Sequence, residues 1–582
     1  MRNVLVLSLL VPMLVLAGAS LTPVKVVADD GVQKGQPAAQ VVTKEGPGFV
    51  SLVGTVDTIG GTTYDWQANG PAYRFVVNSV DAGLHALWMF SADQSGSFPD
   101  RNMRYNFYDY GAGSWNWIDP DFMQSGVNAY TARCGFGNLS ADPVSGVAYV
   151  SSHGGSPIKV TAARDMAPGA GIFEYCAGPD AYLWGYIAAG HTSKFQCHMI
   201  DDASRDMVYY SGVDPWCTWS TPMAVAAPQP DPEFPDQNIA CSNVSDKVCL
   251  TWVASGTDPE PGFYRISEDG GLTWGAPTDL PWPPAYSADT APSFYITSLF
   301  PFYDANDRLH IVTDLCPVVG GTGYVIPAQI WHWCPDNTPN WSHIATASCA
   351  PENLGAPVGN NALYACRPSI GQDAAGNLYV AWEQFDSSNV EPGPPDRLRA
   401  DIFVAGSRDN GQTWGQPVKI TQAGTTSCRY PSMVDLAYND GTEDKLAVLY
   451  MIDQIAGSFV QQENVASNNP IVCHWIPTSA IGIAEPGVKR PVRYEVHATP
   501  NPFGSRTVIS YALPRAGNVS VMVYDEAGRP VRALEQGQRE PGQYSVAWDG
   551  RSDSGEPVAA GVYFYKLSTG GASLSGKLTV VR

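Results

Sequence analysis

The chain has 582 residues and a formal net charge of −22, from 34 Lys and Arg against 56 Asp and Glu. That length exceeds one ordinary domain unless units repeat, and that charge argues against a nucleic-acid partner. Only 15% of residues are charged, while Gly (57), Pro (47), Trp (17) and Tyr (28) are abundant, which excludes a long-helix protein and points to short strands joined by tight turns.

At the N-terminus, Arg2 precedes the apolar run Val4 to Val15 and the small residues Ala17-Gly18-Ala19. This pattern predicts an export signal over residues 1–28, with Val26-Val27-Ala28 as a second cleavage candidate. The run is short for a membrane span. The mature protein is therefore expected without a transmembrane segment, secreted or on a bacterial cell surface. Residues 29–49 read as a flexible N-terminal segment.

From residue 50 a unit recurs: a short polar stretch, a turn, then an apolar strand. "CRPSIGQDAAGNLYVAWEQ" from Cys366 is the clearest copy, and "CSNVSDKVCLTWVAS" from Cys241 and "RYPSMVDLAYNDGTEDKLAVLYM" from Arg429 are others. Looser copies begin at Cys134, Cys197 and Ser298, and "GLHALWMFS" from Gly83 belongs to an earlier unit. The spacing of these units, tens of residues, suits propeller blades.

Twelve cysteines fall in this region. In an exported chain they favour disulfides, and Cys241 and Cys249 could close a hairpin. Their spacing matches no metal site, so neither metal nor cofactor is expected.

Two stretches share the pattern S-x-D-x-G-x-T-W: "SEDGGLTW" (Ser267, Asp269, Gly271, Thr273, Trp274) and "SRDNGQTW" (Ser407, Asp409, Gly411, Thr413, Trp414). Each follows a strand-like run. The Asp accepts hydrogen bonds from amides further round the turn, the Gly takes a backbone angle closed to other residues, and the Trp wedges between sheets. Every position has a structural task. "NFYDYGAGSW" (from Asn106) and "CPDNTPNW" (from Cys334) read as degraded copies.

The motif resembles the Asp-box, or BNR repeat, of sialidase-like β-propellers. The resemblance spans residues 50–478 and implies radially arranged four-stranded blades, with the boxes between third and fourth strands. It also raises exo-glycosidase chemistry, in which three arginines clamp a sugar carboxylate, a Tyr backed by a Glu is the nucleophile and an Asp is the acid/base. Arg133, Arg367 and Arg429 begin candidate inner strands, with Tyr430 and Glu383 as companions. Aligning the two "PS" pairs sets Arg367 opposite Tyr430 and Arg429 opposite Cys366, so strand alternation would turn the two arginines to opposite faces. Arg265 resembles the first sialidase arginine only superficially. No acid/base Asp can be placed, and catalytic residues remain unassigned.

Residues 479–491 read as a linker. Residues 492–582 carry alternating strand patterns without a helix, which suggests an immunoglobulin-like sandwich. "PNPF" (from Pro500), "VYDEAGRPVRAL" (from Val523), "WDG" (from Trp548), "GVYFYKL" (from Gly561) and "GKLTVVR" (from Gly576) resemble the FlgD-like Ig domain used for sorting in type IX secretion.

The expected fold is thus all-β: a six- or seven-bladed propeller, seven preferred, followed by an Ig-like sandwich. The expected function is an exported module that binds a glycan or a surface protein, with the C-terminal domain engaging secretion machinery. The alternative is a sialidase-like exo-glycoside hydrolase.

Overall fold

The computed structural model describes residues 48–484 and 495–581, apart from 71–72, 80, 192–193, 214–215, 226–236, 254–260, 281–282, 284–292, 320–321, 348–357, 394, 500, 502, 505, 514–516, 540–541 and 570–572. The export signal and nearly all of the segment 29–49 lie outside the described residues. No described helix is long and apolar enough to cross a membrane.

Seven antiparallel sheets of four or more strands form the first unit. Blade 1 runs Val76–Ser79, Gly83–Phe90, Asn102–Asp109 and Ser114–Trp115. Blade 2 is Gly135–Ala141, Ala148–Gly154, Lys159–Asp165 and Phe173–Asp180. Blade 3 begins Tyr182–Ala189, Phe195–Asp201 and Met207–Val213; blade 4 is Asn238–Cys241, Val248–Val253, Gly262–Ser267 and Thr278–Leu280. In blade 5, Ser293–Ile296 and Phe300–Tyr303 both pair with Leu309–Val319, followed by Gln329–Trp333 and Trp341–Thr346. Blade 6 is Ala365–Gln372, Leu378–Glu391, Arg397–Ser407 and Val418–Lys419. Blade 7 takes Ser427–Met433, Asp444–Asp453 and Asn469–Pro477 from the end of the ring and its outermost strand, Thr55–Thr62, from the beginning.

Each sheet packs on the next, and blade 7 packs on blade 1, so the ring is closed. Packing faces against one another is how blades that cannot bury both sides alone become stable. First strands line the central channel. The Phe75 amide donates to Ser432 Oγ (2.9 Å) and the Met433 amide to Ser369 Oγ (2.8 Å), tying first strands of neighbouring blades together. Deeper in, residues from blades 1 to 5 and Asp435 line a cavity of about 60 Å³, room for a few waters.

The two S-x-D-x-G-x-T-W turns join the third to the fourth strand of blades 4 and 6. Their hydrogen bonds are nearly identical. Asp269 accepts from the Thr273 amide (2.8 Å) and hydroxyl (2.6 Å), and Asp409 accepts from the Thr413 amide (2.8 Å) and hydroxyl (2.6 Å). Ser267 and Ser407 accept the Gly271 and Gly411 amides at 2.8 and 3.0 Å. Each turn then docks on the preceding blade: Trp274 meets Tyr209 edge-on at 4.8 Å, and Trp414 meets His332 at 5.4 Å and donates its indole N–H to Ser342 Oγ (3.0 Å). The degraded copies at 106–115 and 334–341 occupy the same third-to-fourth connection in blades 1 and 5.

The cysteines correct an expectation. Cys241 and Cys249 are free thiols, as are the buried Cys134, Cys176, Cys197, Cys334, Cys366, Cys428 and Cys473. Cys349 lies outside the described residues. Cys249 pairs across the ladder with Ala240, and Cys241 with Val248, so the two side chains leave opposite faces of the sheet and no hairpin disulfide forms.

The second unit, 485–582 in its described part, is a two-sheet β-sandwich. One sheet holds Glu495–Thr499, Thr507–Leu513 and Gly542–Trp548; the other holds Pro530–Arg539, Gly517–Tyr524, Gly561–Thr569 and Ser573–Val580. Alternate residues Val519, Val521 and Val523 point into its core, Val521 and Val523 side by side with their ladder partners Leu567 and Tyr565, in one cluster with Trp548 of the other sheet. Asn501, from the "PNPF" motif, caps the last strand, donating to the Lys577 carbonyl (2.6 Å) and accepting from the Thr579 amide (2.8 Å).

Candidate functional site

Four first strands carry the same irregularity. The ladder slips after Gly135, Leu183, Cys366 and Arg429, and the next residue of each, Phe136, Trp184, Arg367 and Tyr430, takes a left-handed φ of 52°, 47°, 58° and 60°. These are β-bulges, which leave one amide outside its ladder and re-aim the side chain. A buried amide needs an acceptor. In every case it comes from the second strand of the preceding blade. The Phe136 amide reaches Met89 Sδ (2.9 Å), Trp184 reaches His153 Nδ1 (3.0 Å), Arg367 reaches Asp314 Oδ2 (3.0 Å) and Tyr430 reaches Glu383 Oε2 (2.7 Å).

Glu383 does more than accept an amide. Arg367 Nη1 makes a close ion pair with its Oε1, and Arg429 Nε approaches the same oxygen at 3.2 Å. Cys366 Sγ lies 3.4 Å from it. The Arg367 guanidinium also lies over the Tyr430 ring (4.6 Å) and donates to the Asn361 carbonyl (2.6 Å). Burial alone would raise the Glu383 carboxyl; the two guanidiniums and the Tyr430 amide outweigh it and hold the group below its ordinary value. Burial raises the Tyr430 hydroxyl above its ordinary value, with the arginines only partly opposing.

Alternation predicted that Arg367 and Arg429 would diverge. The structure brings them together because each strand is bulged and because they approach Glu383 from different blades. Arg133 does not join them: its Nε donates to the Phe98 carbonyl (2.8 Å). Arg265 lies on a third strand, bound to the Gly275 carbonyl (2.6 Å).

The cluster is sealed. Arg367, Glu383, Arg429 and Tyr430 are all 5% exposed or less. The link from blade 7's outer strand into blade 1, residues 63–70 and 73, is buried throughout. Tyr73 packs near Tyr430 (6.4 Å), Tyr64 near Phe98 (4.8 Å) and Phe136 (6.3 Å), and the Asn69 carbonyl accepts from Asn361 (3.2 Å). Arg101, unremarked in the sequence, pins this link by donating to Tyr64 Oη (3.2 Å) and the Cys134 carbonyl (3.1 Å). Asp65 fastens it to blade 7, accepting from Ser458 Oγ (2.9 Å) and the Val460 amide (3.2 Å).

Asp314, Arg101 and Asp65 were all missed at the sequence level. Asp314 had a signal: it ends "LHIVTD" as Glu383 ends "LYVAWE", the sixth position of a second strand. Asp65 and Arg101 lie in irregular segments, where no period marks them. Burial pushes the Asp65 carboxyl up to about 6, despite its hydrogen bonds. The folded state thus holds that proton more tightly than the unfolded chain, and Asp65 costs stability as pH rises from about 4 to about 6. The stability difference between wild type and Asp65→Asn, followed by urea denaturation, should therefore shift against wild type across that window. A flat difference would refute the assignment.

Among the described residues no group of three or more His, Cys, Asp or Glu side chains could hold a metal ion. Asp201 is a turn residue, accepting from the Ala203 (3.0 Å) and Ser204 (2.7 Å) amides.

Residues 504–573 match the FlgD Ig-like domain family. No curated protein matches the chain. Among solved structures, the chain is similar to the polysaccharide lyase Uly1, at 12% identity and a TM-score of 0.39 over 70% of this chain and 90% of that one. It is similar to a Penicillium chrysogenum α-L-arabinanase at 11% identity and a TM-score of 0.34, covering 63% and 96% of the two chains. A subtype N10 neuraminidase-like protein of A/little yellow-shouldered bat/Guatemala/060/2010 gives 8% identity and a TM-score of 0.34, over 59% and 94%.

Proposed function

We propose that the chain is an exported binding module whose propeller recognises an extracellular glycan or a surface protein. Its two S-x-D-x-G-x-T-W turns are read as Asp-boxes, and its C-terminal Ig-like domain serves sorting or surface attachment, on the type IX pattern. The observation that carries this reading is the neutralised arginine pair. Arg367 and Arg429 already share a buried carboxylate. A clamp for a sugar carboxylate needs guanidiniums with free donors facing solvent, and both of these are buried, with Tyr73 packed near the adjoining Tyr430. The nearness of Tyr430 and Glu383 keeps a sialidase-type hydrolase as the second reading. In this geometry, however, Glu383 contacts the Tyr430 amide, whereas a nucleophile would need its hydroxyl activated.

The purified protein is expected not to release fluorophore from a fluorogenic sialoside or a panel of aryl glycosides, while retaining ligands on a glycan or surface-protein array. Turnover abolished by Arg367→Ala and Arg429→Ala would replace this reading with the hydrolase.

A further inference from the structure

A second cavity lies on the seam where the N-terminal strand Thr55–Thr62 faces blade 1. It is an open groove of about 570 Å³, within the size range of small-molecule sites. One side is aromatic. Tyr108 contacts Trp475 (4.8 Å), Trp115 (5.5 Å) and Tyr438 (6.2 Å), and Tyr438 stacks on Tyr110 at 4.0 Å with 13° between planes. Asp57 is set among these rings, its Oδ2 accepting both the Trp115 (3.1 Å) and Trp475 (2.8 Å) indole N–H groups. The rest of the lining mixes the hydroxyls of Thr55, Thr58 and Ser114 and an Asp440–Lys445 ion pair with the apolar Val56 and Ile118.

From this groove we infer a binding site for a neutral glycan. The inference rests on the glycan branch of the reading above and gives it a location. Three features select the ligand. The rings pack edge to face on one another, with Trp115 and Trp475 buried, so no gap between them could hold a quaternary ammonium, and the half-buried Tyr108 and Tyr438 leave apolar ring surface for the C–H face of a sugar. Asp57, fixed by two indoles, keeps acceptor capacity for sugar hydroxyls. Lys445 is spent on Asp440, so the groove retains the charge of Asp57 and repels carboxylated sugars.

The full chain is titrated with neutral trisaccharides (cello-, xylo- and arabinotriose) and with sialyllactose, following tryptophan fluorescence. A neutral trisaccharide should bind, sialyllactose should not, and Tyr438→Ala and Asp57→Asn should each weaken binding about tenfold or more, with far-ultraviolet circular dichroism unchanged. Asp57→Asn keeps an acceptor for the indoles, so it separates lost recognition from lost fold. If glycans bind but both variants bind as wild type, the groove is not the site and the glycan reading survives. A preference for sialyllactose would overturn the ligand class. If a glycan array shows no binding at all, both fall.

Discussion

Glu383→Gln should destabilise the propeller by about 3–5 kcal/mol, the usual cost of leaving buried charge uncompensated. Glutamine can still accept the Tyr430 amide, so the loss isolates the two guanidiniums. Urea denaturation of the wild type and the variant at neutral pH reads the effect directly. The pH dependence follows from the depressed carboxyl. The contribution of Glu383 is complete above the ordinary glutamate range and disappears as pH falls through its lower folded value. The two proteins should therefore converge in acid. A triple replacement, Glu383→Gln with Arg367→Met and Arg429→Met, removes every charge while leaving the Tyr430 amide an acceptor, and should recover much of the loss, because packed apolar groups often replace buried charges at little cost. Equal stability of wild type and Glu383→Gln would show that the arginines are compensated in some other way.

Gly411→Ala should cost about 2–4 kcal/mol, more than strain alone explains. Gly411 has φ 75°, and a Cβ there would overlap the His332 ring of the preceding blade. Gly376 has a similar φ of 81° with open space around it, so Gly376→Ala carries only the backbone penalty, about 1 kcal/mol. The difference between the two urea midpoints measures how tightly the turn of blade 6 is seated on blade 5. Equal losses would mean that the turn is merely a turn.

The blades were legible because their grammar is local. A turn such as "SRDNGQTW" makes its own hydrogen bonds within eight residues, and its meaning does not depend on the rest of the chain. The Ig-like unit was legible for the same reason: Val519, Val521 and Val523 recur at every second position of their strand, with Asn518, Ser520 and Met522 between them less buried. The candidate site was only half legible. Arg367, Arg429, Tyr430 and Glu383 were picked out as residues, but their relation was inverted, since one inserted residue in a ladder changes the face that follows. The acceptor of each bulge amide belongs to another blade, a partnership between Glu383 and Tyr430 or Asp314 and Arg367 that no window along the chain contains. The hairpin disulfide failed similarly. Proximity in sequence brought Cys241 and Cys249 together, and the register of one hairpin separated them.

The last blade is shared between the two ends of the propeller: Thr55–Thr62 pairs with Asn469–Pro477. Some four hundred residues separate these partners, so the strand made first must wait for the strand made last. Until then Thr55–Thr62 has no ladder partner and is open to pairing with other chains, and the loop to be closed is the longest in the ring. That delay suits the export proposed above: a ring that cannot close before its final blade is synthesised stays threadable until then.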